Sequence, residues 1–150
     1  KKFVGYTTLM VIENKKINDF EILAQIEAGV VLTGSETKAF YLGQVDLSKS
    51  HVRILGGKPV LVNAQFNHPS LSGEAATRSR ALLMHKREIA DFVGKLGKTG
   101  LTVVAIRMYN KGRFVKVLIG LARGLKEYGR REKLKNRDLL RQAQRDLVNE

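Results

Sequence analysis

Between residues 19 and 122 the chain alternates apolar and polar side chains and is broken repeatedly by glycine; at Arg123 that pattern stops. This confines the fold to short strands joined by tight turns, followed by a segment that is not a strand. Residues 19–33 read as one long strand or a bent pair, with Phe20, Ile22, Ala24 and Ile26 on one face. Gly29 offers the bulge or bend by which a small barrel turns a corner. A hairpin follows: Ser50 to Leu55 runs out, Gly56-Gly57 turns with the positive φ angles such turns need, and Pro59 to Asn63 returns. Pro59 suits the start of an edge strand. Leu101 to Met108 and Arg113 to Ala122 form the last pair, with Asn110-Lys111-Gly112 as its turn.

Two helices interrupt the strands. Gly34 to Gly43 reads as a short one, capped by the Ser35 hydroxyl and stopped by Gly43. His85 to Leu96 carries Ile89, Phe92, Val93 and Leu96 on one stripe, with Glu88 placed to reach back to an N-terminal amide and Gly97 and Gly100 ending it. Residues 66–80 read as a long loop, functional or disordered. The fold class expected is mainly β (α+β): a small antiparallel barrel like the oligonucleotide-binding (OB) fold, with two or three short helices and a basic C-terminal tail. An open α+β sheet is the fallback. The organisation expected is an N-terminal arm or strand over residues 1–13, the barrel over 14–123 and the tail over 124–150.

Composition narrows the function. With 43% hydrophobic residues in 150, the chain can build a core without disulfides or metal. It has no cysteine, which removes zinc ribbons, iron–sulfur sites and cysteine nucleophiles. Its 27 Lys and Arg against 14 Asp and Glu give a net charge of +13, a field that attracts a polyanion, nucleic acid ahead of an anionic membrane face. No apolar run is long enough for a spanning helix. Lys1 to Ile12 superficially resembles a signal peptide, but Glu13-Asn14-Lys15-Lys16 follows at once without an A-x-A-like cleavage site. The start is Lys rather than Met, so the first residues are expected to be incomplete. From Arg123 to Asp138 the chain is dense in charge and poor in apolar residues, and Leu140, Ala143 and Leu147 make only a narrow stripe. Such a segment is expected to be disordered or frayed when free and to order on a polyanion.

Four segments carry a resemblance. Glu27 to Lys38 (EAGVVLTGSETK), Leu82 to Ile89 (LLMHKREI), Gly120 to Tyr128 (GLARGLKEY) and Arg130-Arg131-Glu132 through Arg137-Asp138 recur in order. They are similar to E-A-G-x-x-L-x-G-T-E-V-K, L-L-L-H-K-R-E-I, G-L-A-K-G-K-K-x-Y/H and D-K-R-E…R-D of the SsrA-binding (SmpB) family. There are departures: Phe40-Tyr41 stand where the family has Arg after E-V-K-S-L, Gly129 replaces the Asp of D-K-R, and Ala75 to Ala81 replaces D-P-x-R-x-R-K. The gap from Asn14 to Glu27 is one residue short, and nothing before Val11 matches. The resemblance implies an OB-fold body gripping the tRNA-like domain of transfer-messenger RNA (tmRNA, SsrA RNA). It also implies a tail entering the decoding site and messenger channel of a stalled ribosome's small subunit, together with elongation factor Tu, in trans-translation. It implies no catalysis and no cofactor, and a monomer in the bacterial cytoplasm or an organelle of that origin.

Candidate contacts follow. By resemblance Glu27 faces RNA, where a carboxylate is useful only if it accepts from a base or sugar or orients an Arg; otherwise it is a solvated strand carboxylate. Asn14 is a family position or a plain turn residue. Leu83 packs on an unstacked base or lies in the core. His85, Lys86 and Arg87 crowd a helix start that favours anions, or His85 simply caps it. Lys38, Arg78, Arg80 and Arg123 are candidate phosphate contacts or solvated surface. In the tail, Tyr128 can stack on a nucleobase, and Lys126, Arg130, Arg131, Lys133, Lys135 and Arg137 supply charge. Neutralising about six phosphates predicts a log affinity–log salt slope of roughly −4 to −5. A generic RNA-binding or ribosomal OB protein fits charge and fold equally well. An enzyme fits poorly: there is no phosphate-cradling G-x-x-x-x-G-K-[ST] run or zinc-deaminase signature. No spacing makes Glu21, Glu27, Glu36 and Asp46 a metal cluster, and His51 and His68 have no ligand pattern.

Overall fold

The computed structural model describes residues 9–96, 100–125 and 127–148. Alternation builds its sheet. In β2 (Phe20–Val30) every second side chain turns inward, and the strand pairs antiparallel with β9 (Phe114–Gly124), itself paired to β8 (Leu101–Lys111). Around this ribbon lie β1 (Val11–Glu13), β4 (His51–Leu55), β5 (Lys58–Val62) and β7 (Arg80–Leu83), in the order β1-β8-β9-β2-β7-β5-β4; the helices here are α1 (Gly34–Tyr41), α2 (Lys86–Leu96) and α3 (Glu127–Val148). Two short strands, β3 (Val45–Asp46) and β6 (Gln65–Phe66), pair separately. The large sheet curls until β4 lies against β8, but no ladder joins them among the described residues, so the barrel is OB-like rather than closed. Inside it sit Phe40, Leu47, Leu61, Phe66, Val103, Met108, Val117 and Ile119, all fully buried.

The bend of β2 is carried by two residues. The register with β9 slips between Ile22 and Ala24, and at Gly29 the strand begins pairing with β7 while still opposite Lys116. A Cβ at Gly29 would sit 3.2 Å from the Leu83 Cβ, so the crossing of β2 and β7 requires glycine. A second bulge lies in β8 between Ala105 and Arg107, where Ile106 folds over Gly120.

Several sequence expectations need correction. The cap of α1 is Thr33, not Ser35: the Glu36 N–H donates to Thr33 Oγ1 (3.3 Å) and the Thr33 N–H to Glu36 Oε1 (2.8 Å). Pro59 is not in an edge strand, since β5 lies between β4 and β7; it is tolerated because β7 pairs only with Val60 and Leu61. Val93 is largely exposed, because α2 meets the sheet chiefly through Phe92 and leaves the rim of its stripe outside. The last hairpin turns at Gly112-Arg113, one or two residues later than expected, with Lys111 opposite Phe114. Gly97 lies outside the described residues. The segment expected to fray is the 22-residue helix α3. Its Lys, Arg, Glu, Gln and Leu are strong helix formers, and a helix needs no buried face to satisfy its own backbone.

Candidate nucleic-acid interface

The outward side chains of the ribbon define one surface. On β8 these are Arg107, Tyr109 and Lys111, on β9 Phe114, Lys116 and Leu118, on β2 Gln25 and Glu27, and on β7 Leu83. A trough runs across it from the Phe114 end to the start of α2. Gly29, Leu83 and Lys116 line its whole length, Glu27, Met84 and His85 flank one half, and Thr37 and Phe114 flank the other. Gly29 keeps the floor low, and Leu83 (64% exposed) and Phe114 (68%) offer bare apolar surface beside cations. Lys116 Nζ lies 5.8 Å above the centre of the Phe114 ring. Apolar faces edged by amines suit an unstacked base with its phosphate.

Glu27 is held in place on this surface. The Tyr109 hydroxyl donates to Glu27 Oε2, and Lys111 Nζ lies 2.9 Å from Oε2 and 3.1 Å from Oε1. The Tyr109 and Lys111 hydrogen bonds lower the Glu27 carboxyl below its ordinary range. Desolvation, helped by the hydrogen bond to Glu27, pushes the Tyr109 phenol up to about 12. Tyr109, Lys111, Phe114 and Lys116 were not among the sequence candidates. The period-two pattern of β8 and β9 already placed them opposite the buried Met108, Val115 and Val117.

The other candidates scatter. His85, Lys86 and Arg87 are exposed at the start of α2, beside the trough. The His85 N–H donates to Glu88 Oε1 at 2.9 Å, so a carboxylate already serves part of that helix start. Lys38 is exposed on α1.

Arg80 is not a phosphate contact. It is 0% exposed, and its guanidinium lies 4.0 Å above the centre of the Phe66 ring. Nε donates to Glu36 Oε2 (2.6 Å), Nη1 to the carbonyls of Ala64 (2.8 Å) and Arg78 (2.6 Å), and Nη2 to that of Ala76 (3.1 Å). These bonds order the segment expected to be a loose loop. Arg78 (42% exposed) donates to the same carboxylate from outside, Nη2 to Oε1 at 2.6 Å. Burial works against the charge on Glu36, but Arg78, the Thr33 amide and Arg80 outweigh it and hold the carboxyl low.

Asn14 is not a surface contact either. At 2% exposure, its Nδ2 donates to the Ala105 carbonyl (2.7 Å), its backbone N–H donates to Ile106 (2.9 Å), and its Oδ1 accepts from the Lys16 N–H (2.8 Å). It satisfies the carbonyls that the β8 bulge turns away from the ladder.

The four carboxylates considered as a metal cluster have separate partners. Glu21 pairs with Arg123 (3.7 Å), Glu27 and Glu36 are engaged as above, and Asp46 accepts from the Ser48 N–H (2.9 Å). Among the described residues no group of His, Cys, Asp or Glu is arranged to hold a metal.

Arg123 and α3 lie at the other end of the ribbon. Gly29 stands opposite Lys116 and Glu21 opposite Arg123, so the trough and the helix are separated by about 26 Å of strand at roughly 3.3 Å per residue. There the Leu125 N–H donates to the Asp19 carbonyl (2.9 Å) and Lys133 Nζ to that of Phe20 (2.6 Å), so Lys133 docks the helix. Arg131 and Lys135 are exposed, and Arg137 lies 3.6 Å from Asp138. Lys126 and the side chains of Tyr128 and Arg130 lie outside the described residues.

A curled antiparallel sheet with a base-sized trough edged by amines, and a cationic helix at its far end, defines a nucleic-acid-binding protein. The chain belongs to the SmpB family: the family model described as SmpB protein matches residues 11–149. That is a family of RNA-binding proteins, not enzymes. The SsrA-binding protein of Enterococcus faecalis is 37% identical over 150 residues, covering 93% of this chain and 94% of its own. That of Chlorobaculum tepidum is 44% identical over 138 residues, covering 89% and 88%. A solved structure described as "tmRNA-SmpB: a journey to the center of the bacterial ribosome" is 39% identical, with a TM-score of 0.65 over 78% of this chain and 85% of that one.

Proposed function

We propose that this chain binds the tRNA-like domain of tmRNA and delivers it to stalled ribosomes in trans-translation. The observation that carries this reading is the separation of two cationic surfaces at opposite ends of one rigid β-ribbon. Two RNA targets can be engaged at once only if neither surface occludes the other. The trough, with Glu27, Leu83, His85, Lys86, Arg87 and Lys116, takes the tRNA-like RNA. The helix α3, about 33 Å long at 1.5 Å per residue, enters the decoding site and the empty messenger channel of the small subunit. The protein acts as a monomer in the bacterial cytoplasm, in company with elongation factor Tu, and catalyses nothing itself. Full-length SsrA-binding relatives matching almost end to end, and a related fold described with tmRNA and the ribosome, support this reading.

Binding of the purified chain to the tRNA-like domain and to a size-matched hairpin, at the same salt concentration, tests it. The tRNA-like RNA is expected to bind far more tightly; equal affinities would refute the proposal.

A further inference from the structure

A carboxylate is an unexpected group in the middle of a surface meant for a polyanion. Phosphates repel it, and it has no proton to donate. Yet Glu27 lines the trough, beside the bare Leu83 side chain and above the low floor at Gly29, with Tyr109 fixing one oxygen and Lys111 straddling both. The amine and the carboxylate therefore form a short linear array: one donor next to two acceptors.

We propose that Glu27 and Lys111 form a subsite for the Watson–Crick edge of one unpaired guanine. The guanine edge carries an acceptor (O6) followed by two donors (N1–H and the N2 amino group). Glu27 accepts from N1–H and N2–H, Lys111 donates to O6, and Leu83 packs against the face of the ring. The other bases do not match this array. Adenine and cytosine place a ring-nitrogen acceptor beside their amino group, and uracil flanks its single N–H with two carbonyls, so each aims a lone pair at the carboxylate. Reading a splayed base by its Watson–Crick edge is the usual route to sequence specificity in folded RNA. Each carboxylate oxygen retains acceptor capacity beyond the bonds from Tyr109 and Lys111. The ionised state the site requires is the one those two donors favour. Lys116, on the opposite side of Gly29, is left for the backbone of the same nucleotide.

This subsite rests on the reading that the chain binds the tRNA-like RNA, and the test separates the two. Each unpaired guanosine of that RNA is replaced singly by inosine, which lacks only the N2 amino group, and binding is measured with the parent chain and with Glu27→Gln. Hydrogen bonds to charged groups contribute about 1.5–3 kcal/mol, so one inosine is expected to weaken binding to the parent chain about 10- to 100-fold. The same inosine should weaken binding to Glu27→Gln little or not at all. Lys111→Met should lose affinity for the guanosine RNA while its circular dichroism stays unchanged. The subsite is overturned if every inosine is neutral, or if its penalty is the same in both chains. It is also overturned if a 2′-deoxy substitution, rather than inosine, produces the coupled loss, which would assign Glu27 to a ribose hydroxyl. If the unmodified RNA binds the parent chain no better than a control hairpin, the tRNA-like-RNA reading fails and takes the subsite with it.

Discussion

Replacing Glu36 by Gln should be among the most damaging single-atom changes available to this chain. The side chain keeps its shape, and the helix cap survives, because Gln serves at the third helical position as well as Glu. The loss is the counter-charge of Arg80. Arg78 is 42% exposed and can turn to water, but Arg80 is 0% exposed and hemmed in by Phe66 and the carbonyls of Ala64, Ala76 and Arg78. Breaking a buried pair so that one charge stays uncompensated costs about 3–5 kcal/mol. A domain of this size holds only about 5–15 kcal/mol of net stability. At roughly 2–4 °C per kcal/mol, the melting temperature should fall by about 6–20 °C. Urea denaturation followed by circular dichroism measures the change, with Glu74→Gln, an exposed carboxylate in the same segment, as the control expected to shift nothing. Acid supplies a second reading. The carboxyl of Glu36 is depressed in the folded state, so its contribution is present in full above the unfolded value, about 4.3, and disappears as pH falls through the lower folded value. Glu36→Gln should therefore flatten the stability–pH profile below about pH 4.5. A loss under about 1 kcal/mol with an unaltered acid profile would mean that Arg80 does not depend on this carboxylate, and the reasoning would fail.

Asn14→Ala should destabilise the fold by about 1–3 kcal/mol, because it strips the partner from a buried carbonyl, while leaving the affinity of folded protein for tRNA-like RNA unchanged; denaturation and binding on the same sample check both. Gly120→Ala would place a Cβ 2.8 Å from Ile106 Cδ1, and overpacking of this kind should cost about 1–3 kcal/mol in urea. One of the four tyrosines should ionise near pH 12 in an ultraviolet titration and vanish from the titration in Tyr109→Phe. Because its folded value is raised, the stability it contributes is present below the ordinary tyrosine range and lost as pH rises through about 12.

The elements read most clearly in the sequence were those governed by local rules. Period two placed β2, β8 and β9, Gly56-Gly57 announced its hairpin, and Gly43 ended α1 with φ +73. The E-A-G and L-L-M-H segments brought Glu27, Leu83 and His85 to one trough. What local rules missed was set by tertiary partners. Arg80 carries the same charge as Arg78 two residues away, and only the position of Glu36 in space sends one inward and leaves the other at the rim. Asn14 was misread because the carbonyls it serves belong to a bulge about ninety residues later in the chain. The α3 helix was misread because scarcity of apolar residues was taken to argue against any order, when it argues only against a buried face.

The central claim is that RNA grip and ribosome action reside at opposite ends of the ribbon. It is tested most directly by deleting residues 125–150 and measuring, on one preparation, affinity for the tRNA-like domain and peptide tagging on stalled ribosomes. The account predicts that affinity is largely retained while tagging is abolished. Tagging that persists, or affinity that collapses with the helix, would contradict it.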